Sequence, residues 1–259
     1  MSSTLFEQLH RRAAIRVEFQ PIVSLRAGER SLYALEALVR GPRGTNAERP
    51  DVLFEYARRK GVETTIDLIC IGEILAAAAV LPETVSISIN VHGSTVSDVP
   101  GFAQTFLSDA AKHGIGPRRL MLEILEHRGA WTMSTFRASL DTLRDAGVRI
   151  AVDDLGVGAS NFRMIVDCRP DHLKVDRYVV QGCSHDRYRS AVLQSIVTLA
   201  HACAAVPIVE GIEDEVDLQH VVALGIDLAQ GWHFAASMTA ADVTQLPFFA
   251  TTNERRFLS

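Results

Sequence analysis

The chain alternates short apolar runs with longer segments in which apolar residues recur three and four positions apart. The short runs are typical of buried strands, and the longer spacing is typical of helices that pack against a sheet. Eight strands are predicted: Ile15–Leu25, Ser31–Arg40, Thr84–Val91, Arg119–Leu125, Val148–Asp153, Asp171–Val175, Val206–Glu210 and Ile226–Gln230. This alternation predicts an α/β architecture.

Helical periodicity is clearest in five of the segments that separate these strands. The predicted helices are Thr65–Leu81, Phe102–His113, Trp131–Ala146, Arg187–Ala204 and Asp214–Leu224. A glycine or proline follows most of them, which is typical of a helix that ends just before the next strand begins.

The connection between the first two strands decides the predicted topology. Arg26–Arg30 is too short for a crossover helix, so these two strands should be antiparallel. Eight strands in 259 residues predict a TIM-like (β/α)8 barrel with an antiparallel first strand. A doubly wound open sheet is the alternative, and it is disfavoured because no glycine-rich phosphate loop follows the first strand. We expect one domain over residues 15–245, an N-terminal extension over 1–14 and a C-terminal tail over 246–259.

Composition and charge limit the cellular location and the partners that we expect for this barrel. The longest apolar run, Ile74–Leu81, is far shorter than the roughly 20 residues of a membrane-spanning helix. The first residues lack a secretory leader pattern, and the four cysteines form no CxxC pair. A net charge of −5 disfavours a nucleic-acid polymer as partner. These features predict a cytoplasmic protein that is not embedded in a membrane.

Polar residues recur near the carboxyl ends of the predicted strands, where barrel enzymes build their active sites. They are Glu36, Asn90, Glu123, Asp153, Asp154, Lys174, Glu210 and Gln230. A single acidic residue at a strand end usually caps a helix or bonds to a loop. Five that converge would repel one another unless cations or protons neutralise them. Carboxylate and amide oxygens are the ligands that Mg²⁺ and Mn²⁺ prefer, so a site for these ions is predicted.

The residue types leave two reactions open. Paired ions held by Asp153 and Asp154 would suit in-line displacement at phosphorus, with Lys174 orienting water and Arg40 holding a phosphate. The same carboxylates and lysine would suit metal-assisted proton abstraction next to a carboxylate, as in enolase-type enzymes. Spacing alone does not separate these two reactions.

Several short motifs occur in the order found in one enzyme family. They are FQPIVSL at Phe19–Leu25, EALVR at Glu36–Arg40, INV around Asn90, LEILE at Leu122–Glu126, VDDLGVG at Val152–Gly158, LKVD at Leu173–Asp176, VEGIE at Val209–Glu213 and QGWHF at Gln230–Phe234. Through them the chain resembles the EAL family of cyclic-di-GMP phosphodiesterases over about residues 15–235. The resemblance implies a barrel with an antiparallel first strand and hydrolysis of cyclic-di-GMP to linear 5′-pGpG with two Mg²⁺ or Mn²⁺ ions.

The resemblance also implies a role for each matching residue. One ion would be held by Glu36, Asn90, Glu123 and Asp153, and the other by Asp153, Asp154 and Glu210. Lys174 would fix the attacking water, with Glu36 and Glu210 also in the catalytic set. Substrate would contact Gln20, Leu38, Arg40, Glu213 and Gln230. Glu126 would steady the loop that follows the paired aspartates.

That loop departs from the family pattern. It reads DDLGVGASN at Asp153–Asn161, where the family usually has DDFGTGYSS, so Val157 replaces a threonine and Ala159 an aromatic ring. Gly41 replaces the tryptophan that commonly follows the arginine, and Ser237 falls near an expected proline. The altered loop motivates an alternative hypothesis, that the protein is a non-catalytic cyclic-di-GMP receptor or protein-interaction regulator. Because this loop often lies at a dimer contact, the choice between monomer and homodimer also stays open.

Overall fold

The computed structural model of the protein describes residues 15–26, 29–125, 132–157 and 161–246. Its strands are β1 (Arg16–Ser24), β2 (Ser31–Arg40), β3 (Ile87–His92), β4 (Leu120–Leu125), β5 (Arg149–Leu155), β6 (His172–Val175), β7 (Val206–Val209) and β8 (Leu228–Gln230). All eight predicted strands are present, with boundaries that differ by a few residues. The predicted extension over 1–14 and nearly all of the predicted tail lie outside the described residues.

The strands form a closed barrel in chain order. β1 runs antiparallel to both of its neighbours, β2 and β8, and every other neighbouring pair is parallel. The predicted TIM-like barrel with an antiparallel first strand is therefore confirmed. Closure places the carboxyl ends of β2 to β8 around one mouth.

Helices cover the outside of the barrel. They are α1 (Pro50–Lys60), α2 (Glu63–Ala78), α3 (Gly93–Asp98), α4 (Phe102–Lys112), α5 (Met133–Ala146), α6 (Asn161–Cys168), α7 (Arg177–Val180), α8 (Arg187–Ala202), α9 (Glu215–Ala223) and α10 (Ala240–Val243), with 3-10 turns at Asn46–Glu48 and Pro117–Arg119. The five predicted helices correspond to α2, α4, α5, α8 and α9. Within the described ranges, no helix combines the length and the apolar character needed to cross a bilayer.

The helices that the periodicity missed are short or polar. α1 begins at Pro50, whose ring suits a first helical position, and ends before Gly61, which has a left-handed φ of 65°. It buries Leu53 and Ala57, which are four residues apart, while Arg58 is exposed. One narrow apolar stripe in a charged segment gives a weak helical pattern.

The side chains of β3 alternate between the barrel interior and the helices. Ile87, Ile89 and Val91 are fully buried in the main hydrophobic core. Ser88 and Asn90 point inward, where they bond to carboxylates of neighbouring strands. The predicted division of this strand into a polar and an apolar face is therefore confirmed.

A second apolar cluster fills the middle of the barrel below the mouth. Its buried members are Ile22, Ala34, Met121, Ala151, Ile208 and Leu228. Beneath it, the Tyr33 hydroxyl lies 2.6 Å from Nε2 of His172 and accepts a 2.8 Å hydrogen bond from Arg149. Burial and the Arg149 guanidinium lower the pKa of His172 to about 4.

This histidine predicts a pH-dependent loss of stability. An exposed histidine titrates near 6.5, so His172 binds protons more weakly in the folded chain, and its contribution is complete above about pH 6.5. The contribution is lost as the pH falls toward 4. The wild-type chain should lose free energy of unfolding between pH 7.5 and pH 4.5, as measured by urea unfolding. We expect this loss to be smaller by roughly 2 kcal/mol in His172→Gln. His201→Gln, at an exposed position, is the control. An equal loss in the wild-type chain and His172→Gln would contradict the assignment.

Candidate active site

The predicted site residues meet at the mouth of the barrel. Glu36 lies on β2, Asn90 on β3, Glu123 on β4, Asp153 and Asp154 on β5, Lys174 on β6 and Gln230 on β8, and Glu210 directly follows β7. Strand register aligns them, since Asn90 pairs with Glu123 and Gln20 pairs with Glu36. A closed barrel thus brings together residues that are separated by up to two hundred positions in the chain.

Lys174 occupies the centre of this group and is fully buried. Its Nζ lies 2.6 Å from Glu123, 2.5 Å from Glu210 and 3.3 Å from both Glu36 and Asp153. Four carboxylates therefore surround one ammonium group. One positive charge does not balance four negative ones, so the site retains an excess of negative charge whenever the acids are ionised.

The pKa values of the acids reflect this crowding. Burial, supported by the charges of Glu36 and Asp153, raises the pKa of Glu123 to about 8 despite the nearby ammonium. Burial also raises the pKa of Asp153 and carries that of Glu210 well above its ordinary value. These acids therefore bind protons more tightly than exposed acids do, because additional positive charge is favourable at this site.

Glu36 behaves differently because it has more donors. It accepts hydrogen bonds from the side-chain amides of Asn90, at 2.9 Å, and Gln230, at 2.6 Å. Burial alone would raise its pKa, but Lys174 and these two amides hold the pKa of Glu36 below its ordinary value. Glu36 is the acid best prepared to remain ionised.

Asp154 joins the group through an irregularity in β5. Adjacent strand residues normally point to opposite faces, but Asp154 has a left-handed φ of 57° and the β5–β6 register shifts between Val152 and Leu155. As a result, carboxylate oxygens of Asp153, Asp154 and Glu210 lie within 4.8 Å of one another. Burial and the charge of Asp153 raise the pKa of Asp154 to about 6.

These residues fit divalent cations. Asn90 donates through its nitrogen to Glu36, while its buried oxygen Oδ1 finds no hydrogen-bond donor among the described residues. An amide oxygen left without a donor beside crowded carboxylates is a suitable ligand atom for a hard cation. The set contains oxygen donors and no histidine or thiolate, which favours Mg²⁺ or Mn²⁺ over softer metals.

A cavity of about 280 Å³ lies beside the acids. Four of the predicted substrate-binding residues line it: Gln20, Leu38, Glu213 and Gln230. Gln20 accepts a 3.0 Å hydrogen bond from Gln230 and donates one of 3.0 Å to the carbonyl of Ala235, so its side chain is held at both ends. The cavity also has lining residues that sequence reasoning did not assign to substrate, among them Arg177, Gln181 and Trp232. The sequence could have indicated them by their position, because Arg177 directly follows the LKVD motif and Trp232 lies within QGWHF.

A second cavity, of about 270 Å³, also borders the acidic group. Asn90 and Asp153 border it, together with Leu38, Phe54 and His92. Open space therefore borders the predicted metal ligands in both cavities.

The described residues do not support the predicted roles of two residues, Arg40 and Glu126. The Arg40 guanidinium pairs with Glu18 at 3.0 Å, donates to Ser237 at 3.2 Å and is not among the described residues that line the first cavity. Its contact with a phosphate remains a prediction. Glu126 and Ala159 lie outside the described residues, so the predicted support of the altered loop is untested.

The sequence is similar to those of known proteins. The family model described as EAL domain matches residues 3–237. The cyclic di-GMP phosphodiesterase RocR of Pseudomonas aeruginosa is 29% identical over 160 residues, a match that covers 62% of this chain and 41% of RocR. The probable cyclic di-GMP phosphodiesterase PdeG of Escherichia coli is 26% identical over 250 residues, covering 93% of this chain and 48% of PdeG. The chain thus spans less than half the length of either relative.

Solved structures share the fold. A standalone EAL protein from Vibrio cholerae O395, in its c-di-GMP bound form, superposes with a TM-score of 0.74 at 25% identity, covering 87% of this chain and 93% of that one. A calcium and cyclic-di-GMP complex of BlrP1 from Klebsiella pneumoniae superposes with a TM-score of 0.77 at 24% identity, covering 93% and 59%. The family model accounts for almost the whole described barrel. The chain belongs to the EAL domain family.

Proposed function

We propose that this chain hydrolyses one phosphodiester bond of cyclic-di-GMP to linear 5′-pGpG, and that residues 15–245 form the catalytic domain. The observation that carries the proposal is the excess of buried carboxylates around Lys174, which added cations would neutralise. Family membership and the relatives named as cyclic di-GMP phosphodiesterases support the same substrate.

Two overlapping sets of residues would hold two divalent cations, Mg²⁺ or Mn²⁺. The first set is Glu36, Asn90, Glu123 and Asp153, and the second is Asp153, Asp154 and Glu210. The short separation of the carboxylate oxygens in the second set supports its assignment. Such a pair of cations, when bound, lowers the pKa of a bound water and offsets charge on the phosphoryl oxygens.

The protein's own residues would position the reactants. The surrounding carboxylates outweigh the effect of burial and raise the pKa of Lys174 well above its ordinary value, so its ammonium donates a hydrogen bond to the attacking water. Glu210 faces the cavity, and its carboxylate, ionised beside the cations, would take the proton of that water. A new P–O bond then forms as the opposite P–O3′ bond breaks, and the departing O3′ takes a proton from solvent to give a 3′-hydroxyl. Gln20, Leu38, Glu213 and Gln230 would seat the dinucleotide, and Arg40 would bind phosphate.

The first prediction concerns turnover. The purified chain should convert cyclic-di-GMP to pGpG in millimolar Mg²⁺ or Mn²⁺, as followed by chromatography. Glu123→Gln keeps the side-chain size but removes a ligand charge, so we expect a loss of at least about 100-fold. Glu83→Gln, an exposed site away from the mouth, is the matched control.

The same assay tests the rival function. A receptor would bind cyclic-di-GMP tightly without divalent cations and leave it uncut. That combination, at high enzyme concentration, would refute hydrolysis and favour the receptor.

The second prediction concerns Lys174. Lys174→Met leaves four carboxylates in one place without their ammonium, so the chain in EDTA should lose on the order of 3 kcal/mol of stability. Mn²⁺ should then raise the melting temperature of Lys174→Met more than that of the wild-type chain, while turnover falls sharply. Lys60→Met, at an exposed helix end, is the control. A variant with full activity and an unchanged melting temperature would show that Lys174 has neither role.

The third prediction concerns pH. Cations bind the ionised carboxylates, and in the cation-free chain Glu123 has a pKa of about 8 and Asp154 of about 6. Cations therefore compete with protons, so affinity for Mn²⁺ should rise from pH 6 to pH 8 and binding should release protons. Titration calorimetry in two buffers with different ionisation heats measures this release. Affinity that is constant over this range, with no proton release, would contradict the assignment of these acids as ligands.

A further inference from the structure

Arg177 is a charged residue at the site, and the proposed function assigns it no role. Among the described residues that line the first cavity, it alone carries a positive charge. No carboxylate of the described ranges lies within ion-pair distance of its guanidinium, although the cavity is acidic. The side chain is exposed to the space that a ligand would fill.

The acids of the cavity are engaged elsewhere. Glu36 and Glu210 contact Lys174. Asp176 accepts a 2.7 Å hydrogen bond from the backbone of Tyr178 and so caps α7. Glu213 accepts a 2.7 Å hydrogen bond from the Gln181 side chain. Each acid that lines the cavity therefore has another partner, and the Arg177 guanidinium is left available to an anion from outside the protein.

The base of the Arg177 side chain is held in place by close packing. Gly211 follows Glu210 with a left-handed φ of 70°, and a Cβ atom there would lie 2.4 Å from the Cβ of Arg177. Only glycine allows this approach. Asp217 accepts hydrogen bonds from the backbone of Gly182 and Ser184, at 2.6 and 3.0 Å, and so ties the segment after α7 to α9.

Arg40, the residue expected to hold a phosphate, has different neighbours. Its guanidinium already pairs with Glu18 and donates to Ser237. A cyclic dinucleotide carries two phosphates, and the acidic group with its cations would hold the one that is cleaved. The other phosphate brings a negative charge into a cavity with a single free cationic side chain.

We propose that Arg177 is a substrate-binding residue that pairs with the phosphate that is not cleaved. The assignment rests on the proposed cyclic-di-GMP site. The guanidinium offers two parallel N–H donors to one phosphate, and it acts on substrate affinity and not on the reacting atoms. It also opposes the repulsion between an anionic ligand and the acids of the cavity.

The test compares Arg177→Met, Arg177→Lys and Arg187→Met, the last being an exposed arginine on α8 outside the cavity. Steady-state kinetics with cyclic-di-GMP and Mn²⁺ should show KM raised about tenfold to hundredfold in Arg177→Met, with a much smaller change in kcat. Arg177→Lys retains the charge but not the planar pair of N–H donors, so it should recover part of the lost affinity. Arg187→Met should match the wild-type chain.

Other outcomes would overturn the assignment. An unchanged KM in Arg177→Met would show that the guanidinium does not contact substrate, and a fall in kcat alone would place it with the reacting atoms. If Arg177→Lys bound as weakly as Arg177→Met, positive charge would contribute nothing to the contact, and the pairing with a phosphate would be wrong.

A separate measurement distinguishes this failure from failure of the proposed function. Calorimetry with cyclic-di-GMP and Ca²⁺ reports binding even if the chain does not cleave. Wild-type binding in Ca²⁺ together with no cleavage in Mg²⁺ or Mn²⁺ would refute hydrolysis, and the Arg177→Met titration would still test the role of the arginine. Wild-type chain that neither binds nor cleaves would refute the proposed substrate and this inference together.

Discussion

The structure of the mouth depends on one buried ammonium group among four carboxylates. Lys174 is the single positive charge that the described part of the barrel places within contact of Glu36, Glu123, Asp153 and Glu210. Breaking such a group by removing one partner costs several kcal/mol, because charges remain in a medium that solvates them poorly. The lysine makes the acidic group compatible with folding, yet it leaves enough negative charge to attract cations. Stability and ligand binding are thus set by the same contacts.

The end of β5 shows how a local irregularity creates a site. A regular strand would direct Asp153 and Asp154 to opposite faces. The left-handed backbone at Asp154 and the register shift beside it allow both carboxylates to approach Glu210. Backbone in this region is unfavourable for a non-glycine residue, so its presence beside the acids is consistent with a functional constraint. The altered DDLGVGASN segment begins at this point.

The rim divides positive charge between two arginines with different neighbours. Arg40 lies in an ion pair with Glu18 at the end of β2, whereas Arg177 lines the cavity without a carboxylate partner in the described ranges. This ion pair is half-buried, so a phosphate would have to displace Glu18 in order to reach Arg40. A guanidinium without an ion pair is available at no such cost. The membership of the chain in the EAL domain family identifies the barrel, and these rim contacts distinguish its two arginines.

The chain's own pattern determined the strands, the covering helices and the antiparallel start, because periodicity and the short Arg26–Arg30 connection act locally. It also placed each candidate ligand at a strand end, and barrel closure brought them together as expected. The predicted role of Lys174 as a residue that orients water did not include its contacts with four acids. Those contacts join residues that are far apart in the chain. The same holds for the pairing of Arg40 with Glu18 and Ser237, and for the lack of a carboxylate partner of Arg177 in the described ranges. Only the tertiary structure decided them, since sequence spacing carries no information on distances that closure of the barrel creates.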